Sequence, residues 1–168
     1  MNYGEEVTQA MGLLAKQSKT LFVGQSVKYP GQLLHKTLRD VPQEKRIEMP
    51  IVEDFQMGFC TGLALEGYLP ICIFPRWDFL ILACNQLVNH LDKLPYFGYY
   101  PKVIIRTAVG DKTPLDPGPQ HYQDHTEAFR KMLDTVEIIE AHNPLEAYSR
   151  ATESNHSCLV VEYMERYR

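Results

Sequence analysis

"EDFQMGFCTGLALEGYLPICIF", residues 53–74, carries two kinds of periodicity back to back. From about Glu53 to Glu66 the apolar and small residues recur at helical spacing. "YLPICIF" is then a continuous apolar run of strand length, the pattern of a strand buried on both faces. The same alternation extends in both directions. Upstream, Tyr3 to about Gln17 puts Val7, Ala10, Met11 and Leu14 on one helical face, "TLFVG" reads as a strand, and "KYPG" reads as a turn. A second helical piece around Gln32 to Arg39 leads to a weaker strand near Arg46. Downstream, Trp77 to about Lys93 is helical in spacing and "KVIIRT" is a β-branched strand. "HTEAFRKMLD" starts a helix with Asp124 or Thr126 as N-cap, and "TVEIIEA", "NPLEAYSRATES" and "SCLVVEY" read as strand, helix and strand. Short apolar strands separated by helices predict an α/β fold: a parallel sheet of about six strands covered by helices on both faces. The expected organisation is one domain over 1–168, since 168 residues suffice for a single core.

Composition narrows the function classes. The chain is 45% hydrophobic and 23% charged, with 17 Lys plus Arg against 21 Asp plus Glu and a net charge of -4. Without a basic run, nucleic acid and anionic membrane surfaces are poor partners. The first residues carry acids where a secretory signal carries bases, and no apolar run approaches the ~18 residues of a membrane span. The expected compartment is the cytoplasm. Cys60, Cys72, Cys84 and Cys158 are widely spaced, which favours buried free thiols over a metal or redox centre.

Two features stand out as chemistry-bearing. Glu53 lies at the mouth of a helix otherwise built for burial, and follows Pro50. An acid there complements the helix dipole, and in an open α/β sheet it also sits where ligands gather, outside the carboxyl ends of the strands. The second feature is the irregular stretch "AVGDKTPLDPGPQHYQD", with three prolines and two glycines in 17 residues. Loops of that length inside a compact domain usually serve function. It holds His121, and "HYQDH" places His121 and His125 four apart, the spacing of two metal ligands on one helical turn. No third ligand or general base stands near in sequence.

Several segments resemble, in order, the beta subunit of 2-oxo acid dehydrogenase first components, the pyrimidine-binding domain of transketolase-type enzymes. In that family T-P-[IL]-S-E opens a G-x-A-x-G-x-A-x-x-G helix, followed by R-P-[IV], F-x-[FD]-F and D-Q-[IV]-x-N. Here stand M-P-I-V-E, G-F-C-T-G-L-A-L-E-G, L-P-I, F-P-R-W-D-F and N-Q-L-V-N at matching separations. "VIIRTAVG", "QHYQ", "TVEIIEAHNPLEAYSRA" and "LVVEYMERYR" extend the similarity over nearly the whole chain.

The resemblance implies thiamine diphosphate as cofactor. It implies that Glu53 hydrogen-bonds the aminopyrimidine and is catalytic, and that Phe79 packs on that ring. It makes His121 the active-site histidine of the loop, with Tyr122 and Gln123 beside it. Trp77 and Gln25 are further cofactor-binding candidates. Gln25 and Ser26 take the place of a family acid, which puts proton relay between paired cofactor sites in doubt, because an amide cannot relay a proton as a carboxylate does. The sequence offers no G-D-G motif with downstream asparagines for the diphosphate and its metal. The expectation is therefore a pyrimidine-binding subunit without the family's C-terminal domain. A separate diphosphate-binding (alpha-type) chain would hold Mg2+, and self-association would produce a heterotetramer. The expected substrate is a 2-oxo acid, decarboxylated with acyl or aldehyde transfer. The alternatives are transketolase-like ketol transfer from a ketose, and a non-catalytic scaffold.

Overall fold

A computed structural model describes residues 1–113 and 116–167; Pro114 and Leu115, in the irregular loop, and Arg168 lie outside the described residues. Helix α1 (Tyr3–Ala15) starts where the Asn2 side chain accepts the Glu5 N–H and the Glu5 carboxylate accepts the Asn2 N–H, so two free donors of the first turn are satisfied. β1 (Thr20–Gly24), α2 (Leu33–Lys36), β2 (Arg46–Glu48), α3 (Glu53–Leu65) and β3 (Leu69–Ile73) follow. The stretch from Trp77 is a relay of short pieces rather than one helix. It comprises α4 (Trp77–Leu80), a 3-10 turn at Ile81–Ala83 and a π-turn at Gln86–Leu91. β4 (Ile104–Val109), α5 (Thr126–Met132), β5 (Glu137–Glu140), α6 (Pro144–Glu153) and β6 (Cys158–Tyr163) complete the order.

The six strands pair in the order β2-β1-β3-β4-β6-β5, and every pairing is parallel. Two apolar clusters cover the two faces, so successive strand residues must both be apolar. Phe22, Ile71, Ile73, Ile104 and Val160 face α1 and α6. Val23, Cys72, Ile105, Leu159 and Val161 face α3, α4 and α5. This alternation between two buried faces is why the strands read as unbroken apolar runs. The weak strand expected near Arg46 is the outer strand β2, and the α/β fold read from the sequence is the one formed.

Asp92, fully buried, fastens the end of the π-turn to the start of β5. Its carboxylate accepts the backbone N–H groups of Asp134 (3.1 Å), Thr135 (2.8 Å) and Val136 (2.8 Å) and meets Lys93 Nζ at 2.8 Å. Burial alone pushes this carboxyl up. The Lys93 ammonium and the N–H groups of Val136, Asp134 and Thr135 outweigh it and hold the group below the ordinary aspartate value. A depressed folded value means that the stabilisation is fully present above the ordinary value, about pH 4, and is lost as pH falls through the lower folded value. Urea unfolding followed from about pH 7 to about pH 3 tests this. Asp92→Asn is expected to lower stability at neutral pH by about 2–3 kcal/mol and to flatten that part of the acid dependence.

Candidate functional site at the carboxyl edge of the sheet

Because all strands run the same way, their carboxyl ends share one edge, and the segments leaving β1, β2, β3 and β4 emerge there. β1 ends at Gly24, where a Cβ would lie 2.5 Å from the Ile73 carbonyl oxygen on β3; only glycine fits. The chain then turns through Ser26 at φ 55, a left-handed conformation that a serine adopts only when held. Glu48, the last residue of β2, holds it: its carboxylate accepts the Ser26 N–H at 2.5 Å and the Lys28 N–H at 2.7 Å.

From this turn the Gln25 side chain reaches α3, and Nε2 donates to Glu53 Oε1 at 3.1 Å. Glu53 is the first residue of α3 and is 5% exposed. Asp54, beside it, is exposed and accepts from Gln86 Nε2 at 3.4 Å, so the two carboxylates have different surroundings. Gln56, one turn on, is buried and donates to the Ile73 carbonyl at 3.0 Å, tying the first turn of α3 to the end of β3.

Phe79 and His121 form a second pair. Their rings meet edge to face with centroids 5.6 Å apart. His121 Nδ1 is buried without a hydrogen-bond partner among the described residues. The loop carrying His121 returns against the end of β4. A Cβ on Gly110 would lie 1.7 Å from the His121 carbonyl oxygen, so the two backbones are in direct contact. Lys112 Nζ sits 4.4 Å from the Tyr122 ring centroid, and Gln123 Nε2 donates to Asp78 Oδ1 at 2.9 Å. These contacts close the base of the loop onto the segment that bears Phe79.

Trp77, the further candidate, is fully buried, with its ring 4.9 Å from Phe129 and 6.3 Å from His125. The spacing of "HYQDH" does not fall on a helical turn. α5 begins at Thr126, whose N–H is accepted by Asp124 Oδ1 at 2.9 Å, while His125 packs on Trp77. Among the described residues no group of three or more His, Cys, Asp or Glu could hold a metal ion. Nor, among those residues, is any helix long and apolar enough to cross a membrane. A groove of about 170 Å³ between α1 and α6 contains none of the candidate residues.

Sequence comparison finds relatives of the chain. Over an alignment of 179 positions covering the whole chain, it is 27% identical to the beta subunit of a mitochondrial 2-oxoisovalerate dehydrogenase of Chaetomium thermophilum. It is 28% identical over 72% of its length to the pyruvate dehydrogenase E1 component subunit beta of Gracilaria tenuistipitata. The chain's homologues are beta subunits of 2-oxo acid dehydrogenases. It spans 38% of the length of each of these two relatives. Among solved structures, the inactive β4 tetramer of a split-gene transketolase superposes with a TM-score of 0.70 at 17% identity, covering 95% of this chain and 50% of that one. The six-stranded parallel α/β fold is therefore one shared with transketolase. No family model matches the chain.

Gly110→Ala tests the loop geometry. The added methyl is expected to force the His121 backbone away at a cost of about 1–3 kcal/mol in unfolding free energy. It should also remove the ring-to-ring nuclear Overhauser contact between His121 and Phe79.

Proposed function

We propose that the chain is the pyrimidine-binding subunit of a two-chain thiamine-diphosphate-dependent enzyme acting on a 2-oxo acid, the whole of 1–168 serving as one domain. The observation that carries this reading is Glu53: a buried carboxylate at a helix mouth, with Oε1 held by Gln25 and Oε2 without a hydrogen-bond partner among the described residues. The homology to dehydrogenase beta subunits supports it. When bound, thiamine diphosphate would supply an acidic thiazolium carbon as the nucleophile and the cationic ring as the electron sink for decarboxylation.

The residues present suit the pyrimidine end of that coenzyme. Glu53 Oε2 would share a hydrogen with a ring nitrogen. Phe79, half-buried, offers an aromatic surface, and stacking on it adds roughly 0.5–1.5 kcal/mol. His121, whose buried Nδ1 has no hydrogen-bond partner among the described residues, is the imidazole assigned to the substrate side of the site. A separate alpha-type chain would hold the diphosphate and Mg2+.

That chain has a surface to meet. Ile51 (78% exposed), Val52 and Phe55 (62%) surround the mouth of α3, and Ile81 and Leu82 are exposed on the segment packed beside it. An apolar surface around a buried acid suits a site completed by a partner. Self-association into a heterotetramer fits the same subunit plan, and the transketolase neighbour is itself named as a tetramer of beta chains. The cytoplasm is the proposed compartment, in keeping with four free cysteines among the described residues.

Glu53→Gln separates a catalytic subunit from a scaffold. With the diphosphate-binding chain, thiamine diphosphate and Mg2+ in D2O, the variant is expected to slow exchange of the thiazolium C2 proton about 10²–10⁴-fold, followed by proton NMR. Assembly should be unchanged by sedimentation. Exchange at the wild-type rate in an intact assembly would rule out the role given to Glu53.

A further inference from the structure

Gln25 is held far more firmly than a surface turn requires. Its own carbonyl accepts Gln32 Nε2 at 2.6 Å, and the Ser26 carbonyl meets His35 Nδ1 at 3.1 Å. Glu48 takes both N–H groups of the turn, at Ser26 and Lys28. Gly31 approaches so closely that a Cβ there would lie 2.6 Å from Ser26 Oγ. These contacts offset the strain of the left-handed backbone at Ser26. All of them fix one thing: the direction in which the Gln25 side chain leaves the end of β1.

We propose that Gln25 is a positioning residue acting through Glu53. Facing a carboxylate, its amide presents the NH2 group, which keeps Glu53 Oε1 as an acceptor, fixes the carboxylate plane and leaves Oε2 for the coenzyme ring. The inference rests on the function proposed above and deepens it. The choice of amide matters, because Gln25 neither takes nor releases a proton. The hydrogen handled by Glu53 therefore passes only to the coenzyme or to water. A second acid at 3.1 Å would instead compete for that hydrogen. Neighbouring charges do not substitute for Gln25: Glu48 is committed to the turn, Asp54 faces Gln86, and no ion pair reaches Glu53 among the described residues.

Two measurements test this. On the full chain alone, labelled with 15N-glutamine, the Gln25 side-chain amide is identified by its loss in Gln25→Met. Glu53→Ala is expected to move that signal and to speed its proton exchange about tenfold. An unmoved signal overturns the contact, and with it the inference, while leaving the proposed function standing. The second measurement is thiazolium C2-proton exchange in the assembled protein with thiamine diphosphate and Mg2+. Gln25→Met keeps the length and loses the donor, so exchange should fall about tenfold with coenzyme affinity changed less than about twofold. Gln25→Glu should recover exchange only toward acid pH, where the new carboxyl carries a proton to donate. Wild-type exchange in Gln25→Met, or a Gln25→Glu profile no different from wild type, overturns the inference alone. Failure of the wild-type assembly to accelerate exchange overturns the proposed function and this inference together.

Discussion

Parallel pairing is the constraint on which everything else in the molecule depends. A parallel strand cannot return by a tight hairpin, so each strand is followed by a crossing segment and every strand ends at the same edge. Residues from four separate crossings, Gln25, Glu53, Phe79 and His121, thereby reach one side of the molecule without any local sequence signal linking them. The register Gly24↔Ile73 sets how closely the ends of β1 and β3 approach. Glycine at 24 and 110 removes the side chains that would otherwise keep neighbouring backbones apart.

Elsewhere the polar interior is organised around Arg106 and Glu162, both fully buried. Arg106 Nε and Nη2 donate to the two Glu162 oxygens at 2.8 and 3.0 Å, and the Tyr148 and Tyr167 hydroxyls donate to the same carboxylate. Burial, followed by the Glu162 charge, pushes both phenols well above their ordinary range, so they remain protonated donors. A buried ion pair contributes little net stability against an apolar substitute, but removing one partner leaves a charge stranded. The network thus joins β4, β6, α6 and the chain end in a single arrangement.

The elements were largely legible in the sequence because each rests on local periodicity. α1 carries the buried positions that its spacing indicated, α3 spans the stretch expected for it, and the six strands fall on the six apolar runs, including the weak one at Arg46. Glu53 was singled out in the sequence by its place at a helix mouth, His121 by its loop, and Phe79 only by the family resemblance. What was not legible depends on register or depth. Arg106 and Glu162 lie in strands 56 positions apart, and nothing in "VIIRT" or "LVVEY" announces that they pair. The burial of Trp77 follows from α5 packing against it, which spacing within "FPRWDF" cannot reveal. The Gln25 amide could be named from the sequence, but its reach to Glu53 depends on the Glu48-held turn. The Trp77–Lys93 stretch has continuous helical spacing, yet the chain breaks it with a π-turn.

The sheet's two outer strands are its shortest, with three residues in β2 and four in β5. Each also carries charge, Arg46 and Glu48 on one and Glu137 and Glu140 on the other. Such margins give a foreign strand little ladder to extend, which discourages edge-to-edge polymerisation. The helical flanks, by contrast, present surfaces on which side-chain fit rather than generic backbone bonding would decide which neighbour is accepted.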